Sequence, residues 1–139
     1  MYLIDTDVIS ELRRKGKANL GVVAFFQEVS SNDAPLYFAA VTVGELRRGV
    51  ELIRHRGDAK QAGRLERWLG RLLTDFGDNV LSFDADVAQV WGRLRVPHPE
   101  NPLDKQIAAT ALIHDLVLVT RNVKHFAATG VKLVNPFTG

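Results

Sequence analysis

Residues 103–134 read LDKQIAATALIHDLVLVTRNVKHFAATGVKLV, and this stretch decides the fold. Leu103 to His114 is Ala-rich and apolar almost all the way round, the pattern of a helix buried on every side. Leu116 to Thr120 (LVLVT) follows at once as a continuous apolar run, not an alternating one. A strand that is apolar on both faces needs cover on both, which is the habit of parallel sheets. Residues 122–128 suit a short helix, and Val131 to Val134 a last strand. The expectation is an α/β fold, a parallel sheet flanked by helices on both faces.

The rest of the chain repeats this alternation. Tyr2-Leu3-Ile4 reads as a buried strand feeding a helix through Asp5-Thr6-Asp7. Residues 19–30 place Val22, Val23, Phe26 and Val29 on one helical face, and Asn32 to Pro35 breaks the chain. Leu36 to Val41 is a second buried strand. Thr42 then opens a helix carrying Val43, Leu46, Val50 and Ile53. Gly57-Asp58 interrupts it, and Leu65, Trp68, Leu69, Leu72, Leu73 and Phe76 form another apolar stripe, suited to core packing or to an interface. Val80 to Phe83 is short and apolar, and Asp84 starts a helix with Val87, Val90, Trp91 and Leu94 inward. Residues 96–102 hold three of the five prolines and read as a loop. Without repeats or linkers, 139 residues make one domain, 1–139.

Composition narrows the chemistry. The hydrophobic fraction of 46% supports a real core, and the absence of cysteine excludes disulfides, thiol nucleophiles and Cys-ligated metals. The N-terminus is not a secretory signal, and no apolar run approaches the roughly 18 residues of a membrane span. A cytoplasmic location is expected. Eighteen basic residues against 16 acidic give only +2, but they are segregated. Residues 1–12 carry Asp5, Asp7 and Glu11 and no base, residues 13–17 are RRKGK, and residues 45–71 hold eight basic side chains against four acidic. Twelve of the eighteen are arginine, the side chain suited to bidentate phosphate contacts.

In open parallel sheets ligands sit beyond the carboxyl ends of the strands. Asp5 and Asp7 follow the first strand, Glu45 lies in the helix after the second, and Asp104 opens the Ala-rich helix. Thr120, Arg121 and Asn122 follow LVLVT. Each has a plainer use: Asp5 and Asp7 as helix caps, Thr42 and Glu45 as a T-x-x-E capping box, Asp104 as a partner of a helix dipole, Asn122 as an N-cap. Converging on one sheet edge, they form instead an oxygen-rich cluster suited to a hard cation, Mg²⁺ or Mn²⁺. The four histidines show no paired ligand spacing, and no phosphate loop or nucleophile elbow is present.

YLIDTDVISEL near the start, AAVTVGELRRGVE in the middle and LDKQIAATALIHDLVLVTRNVKHF near the end resemble PIN-domain ribonucleases, and among them VapC-type toxins of bacterial toxin–antitoxin pairs, including their FitB-like branch. The likeness runs over the whole chain. It implies a Mg²⁺- or Mn²⁺-dependent endoribonuclease of a single PIN domain, with Asp5, Glu45 and Asp104 as acidic ligands and Thr120 in support. Where the family often has a fourth acid this sequence has Asn122, and where it usually has D-T-N this one has Asp5-Thr6-Asp7, so Asp7 is the residue placed to restore the charge. Arg13, Arg14, Lys15, Lys17, Arg47 and Arg48 are candidates for holding RNA phosphates. For Arg48 the plainer use is a salt bridge along its helix with Glu45 or Glu51. The resemblance also implies a VapB-like antitoxin and assembly as a homodimer, or as a heterotetramer or octamer with that antitoxin.

Two other readings stand beside this one. A PIN-like domain short of its fourth acid could bind RNA or a partner without cutting. Asp5-Thr6-Asp7 also approximates the D-x-D strand-end motif of haloacid-dehalogenase-type phosphatases, with Asp5 as a covalent nucleophile. Ile9 stands where that motif calls for Thr or Val, and no later pair of adjacent aspartates supplies its metal.

Overall fold

The computed structural model describes residues 1–14 and 16–138. Lys15, one of the expected phosphate contacts, lies outside them. Five strands, β1 (Tyr2–Ile4), β2 (Leu36–Ala39), β3 (Val80–Leu81), β4 (Val117–Val119) and β5 (Leu133–Val134), form one sheet in the order β3-β2-β1-β4-β5. Every neighbouring pair is parallel, with Leu3 opposite both Tyr37 and Leu118. The chain runs outward from β1 to β3 on one side, then returns to β4 on the other. The strand order therefore reverses between β1 and β4.

Alternate residues of the strands feed two separate cores. Ile4, Phe38 and Val119 pack with Val8, Val22, Leu46, Val50 and Leu69. Those residues come from α1 (Thr6–Glu11), α2 (Leu20–Ser31), α3 (Ala40–His55) and α4 (Ala59–Phe76). Leu3, Ala39 and Leu118 point the other way, onto Ile107, Ala108 and Ala111 of α6 (Pro102–His114) and Phe126 of α7 (Val123–Phe126). α5 (Ala85–Leu94) covers α6 from outside, and α6 also touches α3, β2 and β4, which buries Ile107 to Ala111. Leu103, Leu112 and Ile113 are exposed, so the helix is not buried on every side as expected. Of the α4 stripe, Leu69 is fully buried, while Leu65, Trp68, Leu72 and Phe76 pack half-buried on the first core. Leu73 faces solvent.

The expected strands shorten, β3 to Val80–Leu81 and β5 to Leu133–Val134, and one boundary changes the reading of a motif. β2 passes into α3 at Ala39–Ala40 with no intervening turn, so Thr42 lies inside the helix instead of opening it. No side chain caps this helix. The T-x-x-E pattern at Thr42 and Glu45 is thus not a capping box, and Thr42 Oγ1 is buried without a hydrogen-bond partner. The caps at Asp58 and Asp84 do form, accepting from Gln61 N–H and Val87 N–H.

The last residues close over the start of α2. Asn19 Oδ1 accepts from Gly21 N–H at 2.9 Å and from Thr138 N–H at 3.1 Å, and Asn19 Nδ2 donates to the Thr138 carbonyl at 2.8 Å. The tail crosses so tightly that a Cβ at Gly21 would meet the Pro136 carbonyl oxygen and lie 2.6 Å from Thr138 Cγ2. Gly21→Ala should therefore cost about 1–3 kcal/mol, although alanine is the better helix former. Chemical denaturation would measure it, and stability equal to or above wild type would contradict the packing described.

Candidate functional site

Asp5 sits where the strand order reverses. It is the first residue after β1 and the N-cap of α1, its Oδ1 accepting from Thr6 N–H at 2.8 Å. Its Oδ2 accepts from Thr120 Oγ1 at 2.7 Å, across from β1 to the residue that follows β4. Its own N–H donates to the Val119 carbonyl at 2.9 Å. Thr120 is fully buried, and its hydroxyl also accepts from Asn122 N–H at 3.0 Å. That chain of bonds fixes the Asp5 carboxylate against rotation. Asp5 is thus both a cap and the centre of the cluster.

The other acids gather unequally. Asp7, on the first turn of α1, accepts from Arg121 N–H through Oδ2 at 3.2 Å, while its Oδ1 is buried without a partner. Asp104, on the first turn of α6, pairs through Oδ2 with His125 Nδ1 at 2.8 Å. Glu45 lies half-buried on α3, a helix that packs against both α1 and α6. Asn122 precedes α7 but does not cap it with its side chain. Among the described residues no three Asp, Glu or His side chains already surround a common point at metal-binding distance.

Electrostatics bind the aspartates into one system. Burial, then the neighbouring Asp7 charge, and more weakly Asp104, push the Asp5 carboxyl up to about 6, against the hydrogen bonds from Thr120 and Thr6. Burial also raises Asp7, with Asp104 adding to it and the Arg121 N–H and charge opposing. These are like charges crowded into one small volume. Among the described residues four buried side-chain polar atoms lack a partner, and three are oxygens of Thr6, Asp7 and Thr42, all beyond the carboxyl ends of β1 and β2. An all-oxygen, over-charged site with idle acceptors fits a hard divalent ion.

The expected phosphate contacts separate. Arg47 bonds Glu66 at 2.6 Å and Glu51 at 3.3 Å, and with Arg54 it ties α3 to α4. Arg14 pairs with Glu11 at 2.9 Å. Arg48 stays exposed and joins none of the ion pairs among the described residues. Arg13 lies over Trp68, 5.8 Å from the ring centroid, at a groove it shares with Arg64, Arg67 and Arg71. Sequence reasoning passed over His125 and gave Arg121 no role. A lone histidine 21 positions from Asp104 carries no local signal, and only the fold of α6 against α7 brings the two together.

The family described as PIN domain matches residues 2–132. The chain is 37% identical to Toxin FitB of Neisseria gonorrhoeae, over 99% of both chains. It is 31% identical to VapC ribonuclease Y4jK of Sinorhizobium fredii, over 99% of this chain and 98% of the relative. The crystal structure of FitAcB from Neisseria gonorrhoeae superposes with a TM-score of 0.85 at 36% identity, covering 98% of each chain.

The raised pKa of Asp5 has a consequence for stability. Its folded value near 6 lies above the ordinary 3.8, so the folded state binds the proton more tightly. Stability without metal must then fall as pH rises from about 4 through 6. A shift of about two units costs at most about 3 kcal/mol at neutral pH. Asp5→Asn removes the charge but keeps only one acceptor oxygen, so either the Thr6 N–H or the Thr120 hydroxyl loses its partner. We expect it to stabilise the metal-free protein by about 1–2 kcal/mol at pH 7.5, with the gain gone by pH 4. Urea titrations at the two pH values in chelator would test it; a loss of stability at pH 7.5 would contradict the burial argument.

Proposed function

The chain belongs to the PIN domain family, and from that premise we propose that it is the toxin of a VapBC-type toxin–antitoxin pair, a Mg²⁺- or Mn²⁺-dependent endoribonuclease acting in the cytoplasm. The observation that carries the reading is the meeting of Asp5, Asp7 and Asp104 at the point where the strand order reverses. Its cognate partner is a VapB-like antitoxin, and it assembles as a homodimer or with that antitoxin as a heterotetramer or octamer. Kinship with Toxin FitB and VapC ribonuclease Y4jK supports this. No helix of the described residues is long and apolar enough to cross a membrane. The PIN kinship replaces the phosphatase reading of Asp5-Thr6-Asp7.

The ion would be held by Asp5, Glu45 and Asp104, with Asp7 and Asn122 as further oxygen donors. When bound, it supplies positive charge that acidifies water and offsets the phosphate oxygens of an in-line displacement. The chain's own groups do the positioning. Thr120 and Thr6 N–H hold the Asp5 carboxylate in one orientation. His125 does the same for Asp104. Asp7 Oδ1 is buried beside Asp5 without a hydrogen-bond donor, a lone pair that an ion in the cluster would satisfy. Arg13 and Arg48, neither held by an ion pair among the described residues, are the expected phosphate contacts that remain most available. Arg14 and Arg47 reach RNA only by leaving their glutamates.

A second reading, an RNA- or partner-binding module that does not cut, is favoured by the absence of a preformed three-acid cage among the described residues. One assay separates the two. Purified chain should cleave RNA in Mg²⁺ or Mn²⁺, lose that activity in chelator, and lose at least about a hundredfold in Asp5→Ala or Asp104→Ala. Retained metal-dependent cutting by either variant would overturn the assignment. Asp7→Asn should raise the Mg²⁺ concentration for half-maximal cleavage roughly tenfold. An unchanged requirement would remove Asp7 from the ion's surroundings.

A further inference from the structure

Arg121 stands one residue beyond Thr120, with its charge near enough to Asp7 to favour that carboxylate's ionised form, yet it joins none of the ion pairs among the described residues. Its backbone N–H is spent on Asp7 Oδ2. Its guanidinium carbon lies 4.5 Å from the centroid of the Phe137 ring. A guanidinium loose beside carboxylates would settle on one of them, two N–H groups to two oxygens. Stacked on an aromatic face, it keeps its in-plane donors uncommitted. The side chain is exposed, so those donors can reach a ligand.

The platform is itself held. Phe137 is half-buried against the first core, and its N–H donates to Asn135 Oδ1 at 3.0 Å. The next residue, Thr138, is tied to Asn19 through both its N–H and its carbonyl. Pro136 and Thr138, on either side of Phe137 in the chain, pass close against Gly21. The C-terminal segment thus positions one arginine at the rim of an acidic site that, alone, would repel a polyanion.

We propose that Arg121 binds a phosphate of the RNA backbone beside Asp5, Asp7 and Asp104, and that Phe137 is its positioning residue. This rests on the reading of RNA as substrate. The guanidinium offers a planar pair of donors matching two phosphate oxygens, which a lysine at the same place cannot copy.

The test is binding of a labelled single-stranded RNA of mixed sequence, followed by fluorescence anisotropy in chelator, with Asp5→Asn as parent so that nothing is cut. Arg121→Gln should weaken binding about tenfold and reduce the slope of log affinity against log salt by about 0.7. Arg121→Lys should recover part of the affinity. Phe137→Leu should weaken binding about threefold and add nothing on top of Arg121→Gln, because it acts through that residue. Arg93→Gln, at an exposed position of α5, should stay within twofold. Melting midpoints recorded alongside separate lost contact from lost fold. Affinity and salt slope of Arg121→Gln equal to the parent would overturn the proposal, and additive losses would overturn the part played by Phe137. If the unmutated chain cuts no RNA while Arg121→Gln still weakens binding, the nuclease reading falls and this one stands. If the unmutated chain cuts RNA while Arg121→Gln binds it as the parent does, the nuclease reading stands and this one falls.

Discussion

A carboxylate buried away from water must be gripped by donors or driven towards its neutral form. Asp5 experiences both. The 2.7 Å hydrogen bond from Thr120 to its Oδ2 joins the ends of β1 and β4, where the strand order reverses. Much of the molecule bears on that bond. β1 and β4 are covered on one face by α1 to α4 and on the other by α6 and α7, so neither strand end can shift without disturbing a core. Thr120 has a second tie, to Asn122 N–H, and through the following turn α7 brings His125 to Asp104. The fold brings three like charges together and holds each by hydrogen bonding: Asp5 with Thr120 and Thr6, Asp7 with the Arg121 N–H, and Asp104 with His125.

Such an arrangement works against the stability of the metal-free protein. The raised Asp5 pKa measures the discomfort, and the idle oxygens of Thr6, Asp7 and Thr42 add unpaired polarity to the same edge. A structure shaped only for stability would carry Asn or an apolar residue there. Strain of this kind concentrates at functional positions, where a ligand supplies what the fold withholds. The arginines follow a complementary logic. Arg47 and Arg54 are bound up between Glu51 and Glu66 as a brace for α3 and α4. Arg13 and Arg121 are instead stacked on aromatic rings and join no ion pair among the described residues; Arg13 gives only its Nε–H, to the Ser10 carbonyl.

Most of the architecture was legible because its signals are local or periodic. Continuous apolar strands alternating with helices require a parallel sheet, and the rule for ligands at strand ends then names Asp5, Asp104 and Thr120. The start of α3 was less legible: LYFAAV is equally apolar as strand and as buried helix, so periodicity could not say that the strand stops at Ala39. The T-x-x-E match misled for the same reason, since the helix had begun two residues earlier. His125 and Phe137 were invisible as parts of the site. Their partners are distant in sequence, and a tail laid over Gly21 leaves no pattern that a window of residues can register.

The aspartate cluster is destabilised because it is built for a cation, and the thermal unfolding midpoint of the wild-type chain and of Asp5→Asn in rising Mn²⁺ at pH 7.5 reads this out. Binding to the folded state alone adds about 2.7 kcal/mol at a hundredfold excess over Kd. The midpoint should climb with Mn²⁺ in the wild type and stay flat in Asp5→Asn. Equal climbs in both, or none in either, would contradict it.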